Sequence, residues 1–289
     1  MKNRSKKQMK NRSNKTIEKT QIGEIYKMAE VEGYTGKIYV NEIDGITVHT
    51  YVGYTGDASN IIETEESLVL LDPQRTHSAS AELKKYIDTL DKPLKQVLVP
   101  SHGLGLAYFE GTHTGAAEQM ISFMENGGAQ VFVDIFRGVF GEELDDRLVR
   151  INSTLKEGEN FIEGVRFIMT THEENFPPVS DLEFTEYNLL FTHLAAYDSH
   201  MLVGSRDQIP ELKAYWADVQ ARNYGLILSS HLMPVDARAA GFQLEYLDAL
   251  EEAAKNETKE GFMESMQKVY PDAGMPQFLG KTADNFYKE

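Results

Sequence analysis

Eight histidines and a set of carboxylates are the only promising metal ligands in this chain, because it has no cysteine. Without cysteine there are no disulfides, no thiolate metal sites and no thiol nucleophile, which fits a reducing, cytoplasmic setting. Four of the histidines follow or end apolar runs that read as strands: His102, His172, His193 and His231. A histidine on the loop after a strand is where α/β folds place chemistry. Three or four imidazoles suit one zinc, or an iron- or manganese-type ion, with a coordination position left for water. Such water is acidified to a pKa of about 7 and becomes a nucleophile. A lone strand-end histidine is otherwise an ordinary hydrogen-bonding loop residue. His49 falls within a strand, His77 precedes a helix, and His113 sits at an expected helix start, where it could face an anion.

The central stretch is Gln96–Gly111, Q-V-L-V-P-S-H-G-L-G-L-A-Y-F-E-G. Its apolar run stops at Pro100, and Ser101-His102 opens a glycine-rich loop. The elements around it follow from hydrophobic periodicity. Lys37–Glu42, Ile46–Gly53, Ala58–Thr64 and Ser67–Asp72 form an expected antiparallel meander with turns at Asp44-Gly45 and Thr55-Gly56-Asp57. The nearly all-apolar S-L-V-L-L-D is expected to be central, and Asp72 to end it at the same edge as His102. Ala79–Leu90 reads as a helix, 96–100 as a strand, Thr114–Asn126 as a helix, Ala129–Asp134 as a strand and Ile135–Arg150 as a helix. A second β region follows at Phe161–Thr171, Asp181–Glu186 and Asn188–Phe191. The helix Ile209–Asn223, the strand Gly225–Ser229 and helices near 236–255, 258–269 and 279–287 complete the chain. Two β-rich halves without a linker imply one domain, residues 35–289, of two packed sheets with helices outside.

Residues 1–34 read as a basic, disordered extension with a short helix over Thr16–Ala29. The first 20 residues carry eight Lys/Arg and one acid, +7, which leaves −23 of the net −16 on the other 269. A body that acidic repels phosphates, which argues against nucleic acid as a partner. No run approaches 18 apolar residues, so no membrane span is expected. The expected partner is a small molecule, and exposed aromatics in the C-terminal helices leave room for a homodimer surface.

S-L-V-L-L-D, V-L-V-P-S-H, L-I-L-S-S-H and the order of elements resemble the metallo-β-lactamase superfamily, in the hydrolase-like branch that reads roughly G-H-x-x-P and then Y-P-D. Here these are Ser230-His231-Leu232-Met233-Pro234 and Tyr270-Pro271-Asp272. The resemblance covers residues 36–289 and implies a four-layer αββα sandwich of two mixed sheets. It aligns Asp72 with the acid before the metal loop and His102 with the first histidine of H-x-H-x-D-H. His172 and His231 align with the later histidines, and His193, 21 residues after His172, with the metal-bridging acid. Leu104, Leu106 and Ala107 stand where the signature's second histidine, aspartate and last histidine would be. An ordinary two-zinc mechanism is therefore not implied. Asp72 is the carboxylate the resemblance places before the metal loop, and Glu173 or Glu174, beside His172, or Glu110, in the signature loop, could serve as the catalytic base. Leu104, Leu106, Tyr108 and His200 would line an apolar substrate pocket. Three readings result: a hydrolase-like protein with at most one metal, cleaving an ester, lactone or related bond; a metal-free binding or regulatory protein of the same fold; or a metal-free enzyme using the same cleft, with His102 or His231 as acid/base.

Overall fold

The structure is a computed structural model that describes residues 27–29, 34–43, 45–173 and 177–288. The basic extension lies outside the described residues except for Lys27–Ala29. Those three form strand β1, paired with β2, where the sequence suggested the end of a helix.

The meander appears as read. Strands β2 (Lys37–Ile43), β3 (Ile46–Val52), β4 (Ala58–Glu63) and β5 (Leu68–Leu71) are successively antiparallel. Helix α1 (His77–Asp88) then crosses over to β6 (Leu94–Leu98), parallel to β5. Strands β7 (His113–Ala117) and β8 (Ser153–Leu155) extend the parallel side and complete an eight-stranded sheet. Between them lie α2 (Glu118–Glu125) and α3 (Gly128–Phe140). The second sheet holds β9 (Gly158–Ile162), β10 (Val165–His172), β11 (Val179–Phe184), β12 (Leu189–Thr192) and β13 (Leu226–Ser229). Its strand order is β13-β12-β11-β10-β9, with only β12 and β13 parallel. Helix α4 (Ile209–Arg222) joins those two, and α5 (Arg238–Ala253), α6 (Lys259–Val269) and α7 (Pro276–Phe286) close the chain.

Strand periodicity sorts the core into layers. In β5, Val69 and Leu71 face the other sheet while Leu68 and Leu70 face α1 and α2. Phe167, Met169, Phe184, Phe191 and Leu228 meet them from the second sheet. Leu190 and Ile227 point the other way, into the layer of α4 to α7. The result is the αββα sandwich. Each fully buried Leu, Ile or Phe in it contributes about 1.5–3 kcal/mol.

Three expectations fail in the middle section, the first being the helix expected over Ile135–Arg150, which ends at Phe140 and leaves 145–150 without helix. Residues 113–117 are a strand rather than a helix start, so His113 stands in β7 and not at a helix N-terminus. Residues 129–134 belong to helix α3, not to a strand. The apolar run there is short and rich in valine, which looks like a strand locally. Its period of four is what decides the outcome. Phe132, Phe136 and Phe140 pack as tilted rings along one side, with centroids 5.5 and 5.9 Å apart, while Val131, Ile135 and Val139 lie on the exposed side.

Candidate functional site

Strands β5 and β6 end together, and Asp72 closes β5 in the left-handed region at φ 51°. Its Oδ1 accepts hydrogen bonds from the backbone N–H groups of Ser101 and His102, both at 3.0 Å. Its Oδ2 accepts from Ser230 Oγ at 2.7 Å. One buried carboxyl thus ties the loop after β6 to the loop after β13. Burial pushes its pKa up to about 7, against the hydrogen bonds that favour ionisation. Gly105 lets the same loop lie flat on the neighbouring segment: it sits at φ 86°, and a Cβ there would fall 1.8 Å from the Gln74 carbonyl oxygen.

The loops after β12 and β13 come together because those strands are parallel. Ser230 N donates to the His193 carbonyl at 3.1 Å, and Ala58 N donates to the Ser230 carbonyl at 2.7 Å. This brings His102, His193 and His231 into one cluster. Their rings lie 4.9–5.2 Å apart by centroid, and one nitrogen from each falls within 4.8 Å of the others. Among the described residues this is the one group of three or more possible ligands that converges so closely. His102 Nε2 and His231 Nε2 are 3.0 Å apart. Burial, with His231 and Arg75 nearby, holds His102 well below the usual imidazole range, and burial lowers His193 to about 3. Both are therefore neutral at pH 7, the form that ligates metals.

Behind the cluster stands a pair the sequence did not reveal. Asp57 is buried; its carboxylate takes Arg75 Nε at 2.8 Å and Arg75 Nη2, and lies 3.1 Å from His231 Nδ1. Burial would raise the Asp57 pKa, but Arg75 and His231 overcome it and hold the group well below the carboxylate range. The carboxylate fixes the ring of His231 with Nε2 facing the other histidines, as outer partners of ligating histidines do. The Arg75 guanidinium also lies 4.4 Å from the centroid of Phe136. The available sequence signals were a charged residue three positions after Asp72 and an acid in a T-G-D turn, and neither indicates contact.

The other expected site residues lie apart from this cluster. His172 Nε2 sits 3.2 Å from Asp181 Oδ2, which also accepts from Tyr215 Oη at 2.8 Å. Glu173 is exposed and accepts a hydrogen bond from Gln119. Leu104 is buried against Val133 and Leu144, and Leu106 lies in the core under α1 and α2. Tyr108 bonds to His77 Nδ1 at 3.0 Å and borders a separate depression beside Lys84 and Pro93. His200 is buried beside the C-terminal helices, 2.9 Å from Tyr246 Oη. The four residues expected to share one pocket do not share one.

No protein-family model matches the chain, and no curated protein matches it in sequence. Solved structures do. A β-lactamase domain protein from Burkholderia ambifaria superposes with a TM-score of 0.57 at 16% identity, covering 86% of this chain and 87% of that one. The stereoselective inverting sec-alkylsulfatase Pisa1 from Pseudomonas sp. gives 0.58 at 16% identity over 86% of this chain. The chain spans about half of that alkylsulfatase, 50%. DIM-1 metallo-β-lactamase gives 0.52 at 11% identity, covering 73% of this chain and 97% of that one. The chain therefore has the metallo-β-lactamase fold, an architecture whose solved examples here include hydrolases. Among the described residues no helix is long and apolar enough to cross a membrane.

Proposed function

We propose that the chain is a hydrolase-type protein of this fold with a single-metal site made by His102, His193 and His231. The observation that carries the reading is the buried Nε2 of His193. It has no hydrogen-bond partner, although the two other imidazoles stand beside it. A buried polar atom left unpaired costs about 1–3 kcal/mol, and a cation would satisfy it. The donor set fits: three neutral imidazoles, one of them braced by a carboxylate on its far nitrogen. Tetrahedral zinc at about 2.0–2.1 Å from each nitrogen needs them about 3.3 Å apart, close to the 3.0 Å between His102 and His231. A bound divalent ion would supply Lewis acidity toward a water or a carbonyl-type oxygen.

The chain's own residues do the positioning. Asp72 holds the backbone of His102, and Asp57 orients His231 and compensates Arg75. Glu173 is exposed, and we assign it no step. The bond cleaved is an ester, lactone or related linkage.

One observation favours a second reading, a metal-free binding protein. The Nε2–Nε2 contact of His102 and His231 is a good hydrogen bond without any ion. Elemental analysis of protein purified without added zinc separates the two. The single-metal reading expects about one equivalent per chain, lost in His193→Ala together with the thermal shift on adding zinc. Metal below about 0.2 equivalents with no zinc-dependent shift sinks it and leaves the binding protein.

A further inference from the structure

We infer that helix α3 is a lid that covers the histidine cleft in this conformation and opens about the glycines at its two ends. The motion stands on the packing alone, and its purpose rests on the function proposed above.

The cleft is shut. The space beside His102 is about 20 Å³, room for one water. Arg75, His102 and Leu104 lie on one side of it, and Ala129, Phe132 and Phe136 of α3 on the other. Nε2 of His193 is likewise buried. An ester or lactone does not fit, so hydrolysis at these histidines requires one wall to move.

Helix α3 is the wall with the weakest hold. Its first turn puts Ala129 into the core between the first sheet and its helices. Beyond that, Val133, Phe136 and Phe140 pack on a small separate cluster with Leu104 and Leu144. The outer side is bare, with Val131, Ile135 and Val139 46%, 55% and 68% exposed. An element held by so few buried apolar contacts opens at low free energy. Each end is a glycine in the left-handed region, Gly127 at φ 92° and Gly141 at φ 58°. A Cβ on either would meet nothing within 4 Å, so no packing fixes either turn. Past Gly141 the chain is fixed again: Leu144 bridges to Thr76, and the Asp145 N–H donates to the Arg75 carbonyl at 2.9 Å. Arg75 stays in place when α3 leaves, because Asp57 holds it. Its guanidinium, now 4.4 Å from the Phe136 centroid and 5.7 Å from that of Phe140, is then uncovered beside His102.

The test uses the absence of cysteine, which makes an introduced pair unique. Arg137 on α3 and Asp146 on the fixed segment form an ion pair and are 53% and 45% exposed. Arg137→Cys/Asp146→Cys, joined by a short reducible bis-thiosulfonate linker, ties the lid shut. Carbethoxylation of His102 is followed by peptide mass mapping in chelator-treated protein, with the exposed His113 as control. The linker should slow His102 labelling at least about tenfold against the reduced form and leave His113 unchanged. Phe136→Ala, which frees α3 from Arg75, should speed it about threefold or more. Hydrogen exchange in the parent should run at least about tenfold faster at 130–140 than in α5. His102 labelled equally fast with and without the linker, or α3 as protected as α5, overturns the inference whether or not Phe136→Ala folds. The labelling needs no metal. A working lid on a chain that takes no zinc sinks the metal reading alone. Zinc bound by a chain whose His102 labelling ignores the linker sinks the lid alone.

Discussion

Asp72→Asn offers a direct measure of how the site is held. The buried carboxyl of Asp72 has its pKa raised from 3.8 to about 7. A carboxyl raised on folding adds stability that is complete below its unfolded pKa, near 4, and is lost as pH climbs through the folded value. At 1.36 kcal/mol per factor of ten in the protonation equilibrium, the shift corresponds to about 4 kcal/mol lost between pH 4 and pH 7, an upper figure for a buried group. Asparagine mimics the protonated form. Its carbonyl can accept the two backbone N–H groups now given to Oδ1, and its NH₂ can donate to Ser230 Oγ, whose hydroxyl turns to accept. Urea unfolding of both proteins at pH 5 and pH 8 isolates the effect as a difference of differences. The parent should lose about 2–4 kcal/mol more than Asp72→Asn between the two pH values. A double difference under about 1 kcal/mol would show that Asp72 ionises in place without penalty, and the account of this carboxyl would be wrong.

Three further outcomes follow from the same geometry. Asp57→Ala strands the Arg75 guanidinium in the interior, so chemical denaturation should show a loss of about 3–5 kcal/mol, and Asp57→Ala/Arg75→Met should recover part of it. Gly105→Ala puts a methyl group into the Gln74 carbonyl at positive φ and should cost at least about 3 kcal/mol by the same measurement, whereas Gly138→Ala, in open space within α3, should be neutral or stabilising. His49 is buried between Tyr86 and Glu63 with its pKa lowered by burial, so its neutral form contributes stability at and above pH 6.5 that is lost as pH falls through the folded value. His49→Gln should flatten that acid limb of the unfolding curve.

The layers of the fold were legible in the sequence because they rest on local period. Alternating residues in β3 to β5 and an all-apolar β5 require a sheet buried on both faces, and the amphipathic stretches before β6 and after β12 require helices outside it. The placement of His102, His193 and His231 just past strand ends was legible for the same reason. Period failed at α3, where a valine-rich run of six looks like a strand until the phenylalanine ladder beyond it is counted. Which histidines meet was not legible. His102 and His231 are 129 residues apart and touch only because β5 and β6 are parallel, as are β12 and β13, and Asp72 ties their end loops together. His172 ends a strand just as they do, yet its ring turns to Asp181. Asp57 and Arg75 carry no motif at all; burial, which one chain segment cannot express, makes each the other's necessary partner. The sequence by itself determined the layers and the strand-end histidines. Only the tertiary structure decided the three-histidine cluster and the ion pair behind it, because contact between loops depends on how two sheets stack and not on any spacing along the chain.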